Sequence, residues 1–187
     1  MKYFIIILCL AFYGSFAQEV VVENDSLLLW QKDRKLTWDD FKGVKQQPED
    51  VHLIHKVAES SMIFPYSFIY TEDKTLGINI KCYFEKFIAW TITNDIETLE
   101  HEQIHFNIAE LYTRKIRQCV KSLQDEGILD VNAYVKEVNA LVANCNKYQD
   151  KYDNEVLLNY DRQQEWQERV AKELEALKEY KYIPDSE

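Results

Sequence analysis

The chain is short of positive charge, of histidine and of any cysteine pair spaced to hold a metal. Its 22 lysines and arginines stand against 32 aspartates and glutamates, a formal net charge of −10. Such a surface repels nucleic acid, which excludes a DNA- or RNA-binding role, and it offers no basic anchor for anionic lipid. None of the four cysteines falls in a CxxC spacing, so cysteine ligation of zinc is not expected. Past the first twenty residues no apolar run is long enough to cross a bilayer. No internal repeat and no low-complexity linker divides the chain, so the rest reads as one domain.

The N-terminus, MKYFIIILCLAFYGSFAQEV, is the one strongly apolar stretch. Lys2 gives a short positive region, Phe4 to Tyr13 an apolar run, and Ser15-Phe16-Ala17 a small-x-small cleavage site before Gln18. This is the pattern of a secretory signal peptide over residues 1–17. The alternative is an uncleaved anchor, for which the run is short. Cys9 follows Leu8 rather than a small residue, which argues against a lipoprotein. The expectation is an exported protein, periplasmic or secreted, with no stable membrane insertion once the leader is removed. Cutting 17 of the 187 residues leaves 170, one domain (18–187) large enough to bury a real core. Cys82, Cys119 and Cys145 remain, an odd number that leaves at least one free thiol. Cys119 and Cys145 fall on neighbouring predicted helices and so either pair or stay as two buried thiols.

In KLTWDDFKGV, Thr37 and Asp40 have the spacing of a capping box, with Trp38 and Phe41 on one turn and Gly43 ending it. In LGINIKCYF, Ile78, Ile80, Cys82 and Phe84 alternate with other residues at the period of a half-buried strand, and Pro65 puts its own run at an edge or bend. From Asn94 the period becomes helical. Leu99, Ile108, Leu111 and Ile116 mark a first helix, capped by Asn94 or Asp95 and followed by Gly127. Val131, Val135, Val138, Leu141 or Val142 and Cys145 mark a second, capped by Asp130. A third runs from about Asn159 to Tyr180 with Trp166, Val170, Leu174 and Leu177 inward. The expected class is α+β: a small antiparallel sheet followed by three helices.

The first helix carries His101-Glu102-Gln103-Ile104-His105. Four residues of helix advance about 6 Å and turn about 400°, so both imidazoles stand on one face, within reach of a single Zn²⁺ at about 2.0–2.1 Å from each nitrogen. Glu102, rotated about 100° from His101, can stand beside the metal without binding it and act as general base on a metal-bound water. This is the mechanism behind the H-E-x-x-H motif of zinc peptidases. The plain alternative is a pair of core or solvated histidines on an amphipathic helix. His52 and His55, three apart and ahead of the sheet, read as ordinary surface residues.

Three segments together, LTWDDFKG, the aromatic strand leading to FEKFIAW, and LEHEQIHFNIAELYTRKIR, resemble the bacterial family of predicted secreted zinc-dependent proteases (domain of unknown function 922). The resemblance runs from about Leu36 to Trp166 and is most specific at HEQIHF followed by AEL and Arg114. It implies an exported protein, a zinc site and peptidase activity on a peptide or protein substrate. In YDNEVLLNYDRQQEW the residues Tyr152, Asp153, Gln163 and Trp166 fit the family pattern. Val156 stands where a Thr is expected, and Leu158 and Asn159 where a His and a Gly are. A third zinc ligand supplied by that His in the family would be missing here.

A catalytic zinc normally has three protein ligands and an open position. The acidic candidates are Asp153, Glu155, Glu137 and Glu110. Glu110 lies about 500° around the helix from His105 and suits an i,i+4 pair with Arg114. Glu137 falls on the polar side of the second helix. Asp153, just past that helix, could fold back onto the site. Tyr152 beside it could stabilise an oxyanion or serve as a core tyrosine. Three functions follow: a zinc-dependent peptidase or amide hydrolase; a catalytically weakened homologue that binds a partner in the cell envelope; and a plain envelope structural protein.

Overall fold

A computed structural model of the protein describes residues 22–45, 56–70, 76–157 and 159–182. The expected leader, Cys9, His52, His55 and Leu158 lie outside the described residues. Among the described residues, seven short strands precede three helices: β1 Leu27–Leu29, β2 Ala58–Glu59, β3 Met62–Ile63, β4 Tyr66–Tyr70, β5 Leu76–Ile80, β6 Tyr83–Glu85, β7 Trp90–Thr91, then α1 Ile96–Asp125, α2 Val131–Val156 and α3 Tyr160–Ala176. The class is α+β, as the sequence indicates. Among the described residues these strands pair antiparallel in three small sheets, β1–β6–β3, β2–β7 and β4–β5, and Gly43 adds one parallel bridge to Trp90. Among the described residues no helix is long and apolar enough to cross a membrane.

The continuous strand expected through Ile78, Ile80, Cys82 and Phe84 is broken at Lys81–Cys82, although all four side chains are buried. The break comes where β4 stops supplying partners. Pro65, at the bend between β3 and β4, has no N–H to give, and its carbonyl accepts from Lys81 N at 3.2 Å. Past the break β6 changes partners, to β1 on one side and β3 on the other.

α1 is the central element. From Ile104 to Arg114 every residue except Asn107 is buried, because α2, α3 and β5 all pack against it. Its start is fixed by Asp95, whose carboxylate accepts from Thr98 N. Its end is a Schellman turn: Gly127, at φ +70°, donates to Gln124 O, and Ile128 N to Leu123 O. Asp130 and Asn159 cap α2 and α3 in the same way. The buried face of α2 consists of Tyr134, Val138, Val142, Cys145, Gln149, Tyr152 and Val156, so it runs three turns beyond the stretch read from Val131 to Cys145.

Cys82, Cys119 and Cys145 are all free thiols, so the Cys119–Cys145 pairing is not formed. The helix register explains it. His105 meets Gln149 and His101 meets Asp153, which puts Cys145 level with residue 109 of α1. Cys119 lies ten residues further on, about 15 Å along the axis, far beyond disulfide reach.

The Thr37–Asp40 capping box is present around a 3-10 turn, Trp38–Asp40. Phe41 is buried beneath it, with the Trp38 ring half-buried at 4.9 Å. Gly43 is required: a Cβ there would stand 2.7 Å from Ala89 O and 2.8 Å from Ile88 O. Asp40 belongs to a charge cluster. The Arg34 guanidinium donates to both Asp40 oxygens at 3.0 and 2.7 Å and to both Glu23 oxygens at 3.1 and 2.8 Å, while Lys86 Nζ reaches Glu23 at 2.6 Å. Arg34 first, then Lys86, hold the Glu23 carboxyl down at about 2, below its ordinary 4.5. Burial would raise Asp40, but Arg34, the Thr37 N–H and Lys86 outweigh it and keep that carboxyl low as well. A carboxyl whose pKa is depressed by folding stabilises the fold above its unfolded pKa and loses that contribution as pH falls through its folded pKa. Melting temperature is therefore expected to drop between about pH 4.5 and 2, and Glu23→Gln to flatten part of that drop. A pH series of thermal melts in which the two proteins fall in parallel would remove this cluster from the account.

Candidate metal centre

The five residues of the motif have four destinations. Ile104 points into the core. Gln103, on the face of α1 toward the N-terminal segment, accepts from Leu36 N at 2.8 Å and donates to Asn107, which also receives the Trp30 indole N–H. Glu102 is buried, and its Oε2 accepts from Ser60 N at 3.0 Å and from Ser60 Oγ, at the end of β2. His101 and His105 turn toward α2.

Asp153 meets them there. His101 Nε2 and His105 Nε2 are 3.0 Å apart, and Asp153 Oδ1 lies 3.2 Å from the first and 2.8 Å from the second. Asp153 is not past the second helix, as the sequence reading had it, but within its last turns. Nothing in NKYQDKYDNEV breaks the helix, and Gln149, Tyr152 and Val156 continue its buried face. No fold-back is needed, because antiparallel packing alone brings Asp153 level with His101. The other acidic candidates are elsewhere. Glu110 binds Arg114 and Arg117. Glu155 is exposed and accepts the Trp166 indole N–H. Glu137 is about four turns up α2 from Asp153.

His101, His105 and Asp153 form the group of described residues that could hold a metal ion. The fit can be tested on its geometry. Donors about 2.0–2.1 Å from a tetrahedral Zn²⁺ stand about 3.3 Å from one another. The three separations here fall a few tenths of an ångström short of that, so a small outward shift of the three groups would admit the ion. Two imidazole nitrogens and one carboxylate oxygen are also a donor set suited to zinc. The His101 and Asp153 side chains are 24% and 34% exposed, so solvent reaches the cluster.

No family model, curated protein or solved structure matches the chain. The functional reading therefore rests on the residues and their geometry.

Behind the cluster, Tyr152 is fully buried. Its ring stacks on His101 at 4.6 Å, meets His105 edge-on at 4.9 Å and packs against Trp166 at 5.3 Å. Its hydroxyl points at the His101 carbonyl, 3.5 Å away. Burial, then the charges of Glu102 and Asp153, push the phenol well above its usual range. Gln163 clips α3 to α1 through the Glu97 carbonyl at 2.9 Å. For His105, burial works against the charged ring. The Asp153 carboxylate, then Glu102 and the Gln149 carbonyl, outweigh it and hold its pKa above the ordinary value.

Sequence reasoning missed two residues. Gln149 has a signal in retrospect, since it lies one helical turn before Asp153 and so shares its face. Ser60 has none: its contact with Glu102 spans 42 residues and depends on where β2 ends.

Proposed function

We propose that this protein is an exported zinc-dependent hydrolase of peptide or amide bonds, with His101, His105 and Asp153 as metal ligands and Glu102 as general base. The observation that carries the reading is the convergence of three potential ligand atoms, from two helices, to within 3.2 Å of one another, with the buried Glu102 on the same turn of α1. Zinc bound there would polarise a carbonyl and lower the pKa of water to about 7. The rest of the chemistry belongs to the chain. Both Ser60 bonds fall on Glu102 Oε2, which leaves Oε1 to take a proton from the attacking water and return it to the leaving amine. Tyr152 braces the ligand rings from behind, and the proposal gives its phenol no direct part in catalysis. The resemblance of these segments to secreted zinc-dependent proteases would imply the same reaction class, but the reading does not rest on it. A weakened binding homologue was suggested by Leu158 standing where that family has His. Asp153, already beside both imidazoles, favours the hydrolase.

Purified protein is expected to carry one equivalent of zinc by elemental analysis. Chelation should lower its melting temperature, since a ligand held only by the folded state stabilises it. Free zinc a hundredfold above Kd contributes about 2.7 kcal/mol, or roughly 5–10 °C for a domain of this size. A folded protein that stays empty in excess zinc, with an unchanged melt, overturns the proposal.

A further inference from the structure

We propose that Gln149 is a positioning residue that fixes His105 in its Nδ1–H tautomer and so presents the bare Nε2 to the metal. The inference rests on the reading of the site as a metal centre and concerns a residue that reading does not use.

Gln149 is 5% exposed and grips His105 at two points. Its Nε2 donates to the His105 main-chain carbonyl at 3.0 Å, and its Oε1 stands 2.6 Å from the His105 ring Nδ1. A main-chain carbonyl can only accept, so the amide nitrogen must face it and the amide cannot be flipped. The amide oxygen, which also only accepts, therefore faces the ring. The contact is a hydrogen bond only if Nδ1 carries the proton. The neutral ring that metal binding requires has a single N–H, so with the proton on Nδ1 its Nε2 lone pair faces Asp153 Oδ1 and His101 Nε2, at 2.8 and 3.0 Å. The bare Nε2 of His105 and the Asp153 carboxylate oxygen are then two acceptors facing one another, an arrangement that a cation between them would stabilise. Gln149 thus turns an otherwise ambiguous ring into a ligand of fixed polarity, and its hold on the backbone sets where that ring sits along α1. Partners of this kind behind a ligating histidine change metal affinity by about 10–100-fold.

The test is a series at position 149, read by zinc Kd in competition with a chromogenic chelator. Gln149→Met removes both bonds at similar volume, and Kd is expected to weaken by about 10–100-fold. Gln149→Glu keeps an acceptor against Nδ1 and is expected to restore affinity to within a few-fold of the parent. A purely structural role would not distinguish the two in this order, because the buried carboxylate is the more disruptive change to packing. Ring ¹⁵N resonances of His105 in the zinc-loaded parent are expected to show a protonated Nδ1. Equal affinity for Gln149→Met and parent, or no recovery in Gln149→Glu, overturns this inference alone. A parent that binds no zinc overturns the metal reading and takes this inference with it.

Discussion

Glu102→Gln is expected to leave the fold and the bound zinc in place while hydrolysis of casein or cell-wall peptides falls by about 10²–10⁴-fold, the range for removal of a general base. The substitution is close to isosteric, and the amide oxygen of glutamine can still accept the Ser60 N–H and Oγ–H that now hold Oε2. Packing beneath α1 has no reason to change, because Ile104 and Phe106 carry it. What the amide cannot do is accept a proton from water at neutral pH. The effect should therefore appear in kcat, with zinc content and melting temperature near those of the parent. Zinc-loaded Glu102→Gln protein that hydrolyses as fast as the parent would end the hydrolase reading without touching the metal site.

The parts of this arrangement that were legible in the sequence are those set by neighbours in the chain. The cap of α1 at Asn94 or Asp95, the cap Asp130, the stop at Gly127 and the Thr37–Asp40 box all work over two to four residues, and each was readable; of α3 only the start near Asn159 was. So was the placement of His101, Glu102 and His105, because helix geometry alone puts the two imidazoles on one face. The illegible parts depend on contacts between distant segments. Lys81 and Cys82 alternate like any strand residues, and only the change of partner from β4 to β1 and β3 breaks the strand there. Asp153 was named, but from the wrong place. Its position follows from the register of α1 on α2, which a hydrophobic period does not encode. The same register rules out the Cys119–Cys145 bond.

Glu110→Gln is expected to cost about 3–5 kcal/mol of stability, the usual penalty for stripping the partner from buried charge, and to lower the melting temperature by roughly 10 °C or more. The Glu110 carboxylate is 3% exposed, and its Oε1 accepts from Arg114 Nε at 2.9 Å and Arg117 Nη1 at 3.1 Å. Those two guanidiniums connect α1 to the rest of the molecule. Arg114 lies over the Trp30 ring and donates to Leu174 O in α3 at 2.7 Å. Arg117 donates to Ile80 O in β5 at 3.2 and 3.0 Å and to Tyr180 O, past α3, at 2.9 Å. Without the carboxylate, two cations with 4% and 13% exposed side chains lose the carboxylate they are bonded to and keep mainly neutral partners, carbonyl dipoles and ring faces. The same substitution tests where the third ligand lies. If Glu110 is structural, as its partners require, Glu110→Gln should lose stability in metal-free and zinc-loaded protein alike and keep the parent's zinc affinity. Asp153→Asn should do the reverse, losing zinc while the metal-free melt moves little. Calorimetric melts and zinc titrations on the two variants therefore have crossed outcomes, and a Glu110→Gln protein that folds as well as the parent but fails to bind zinc would mean that the ligand set has been drawn from the wrong face of α1.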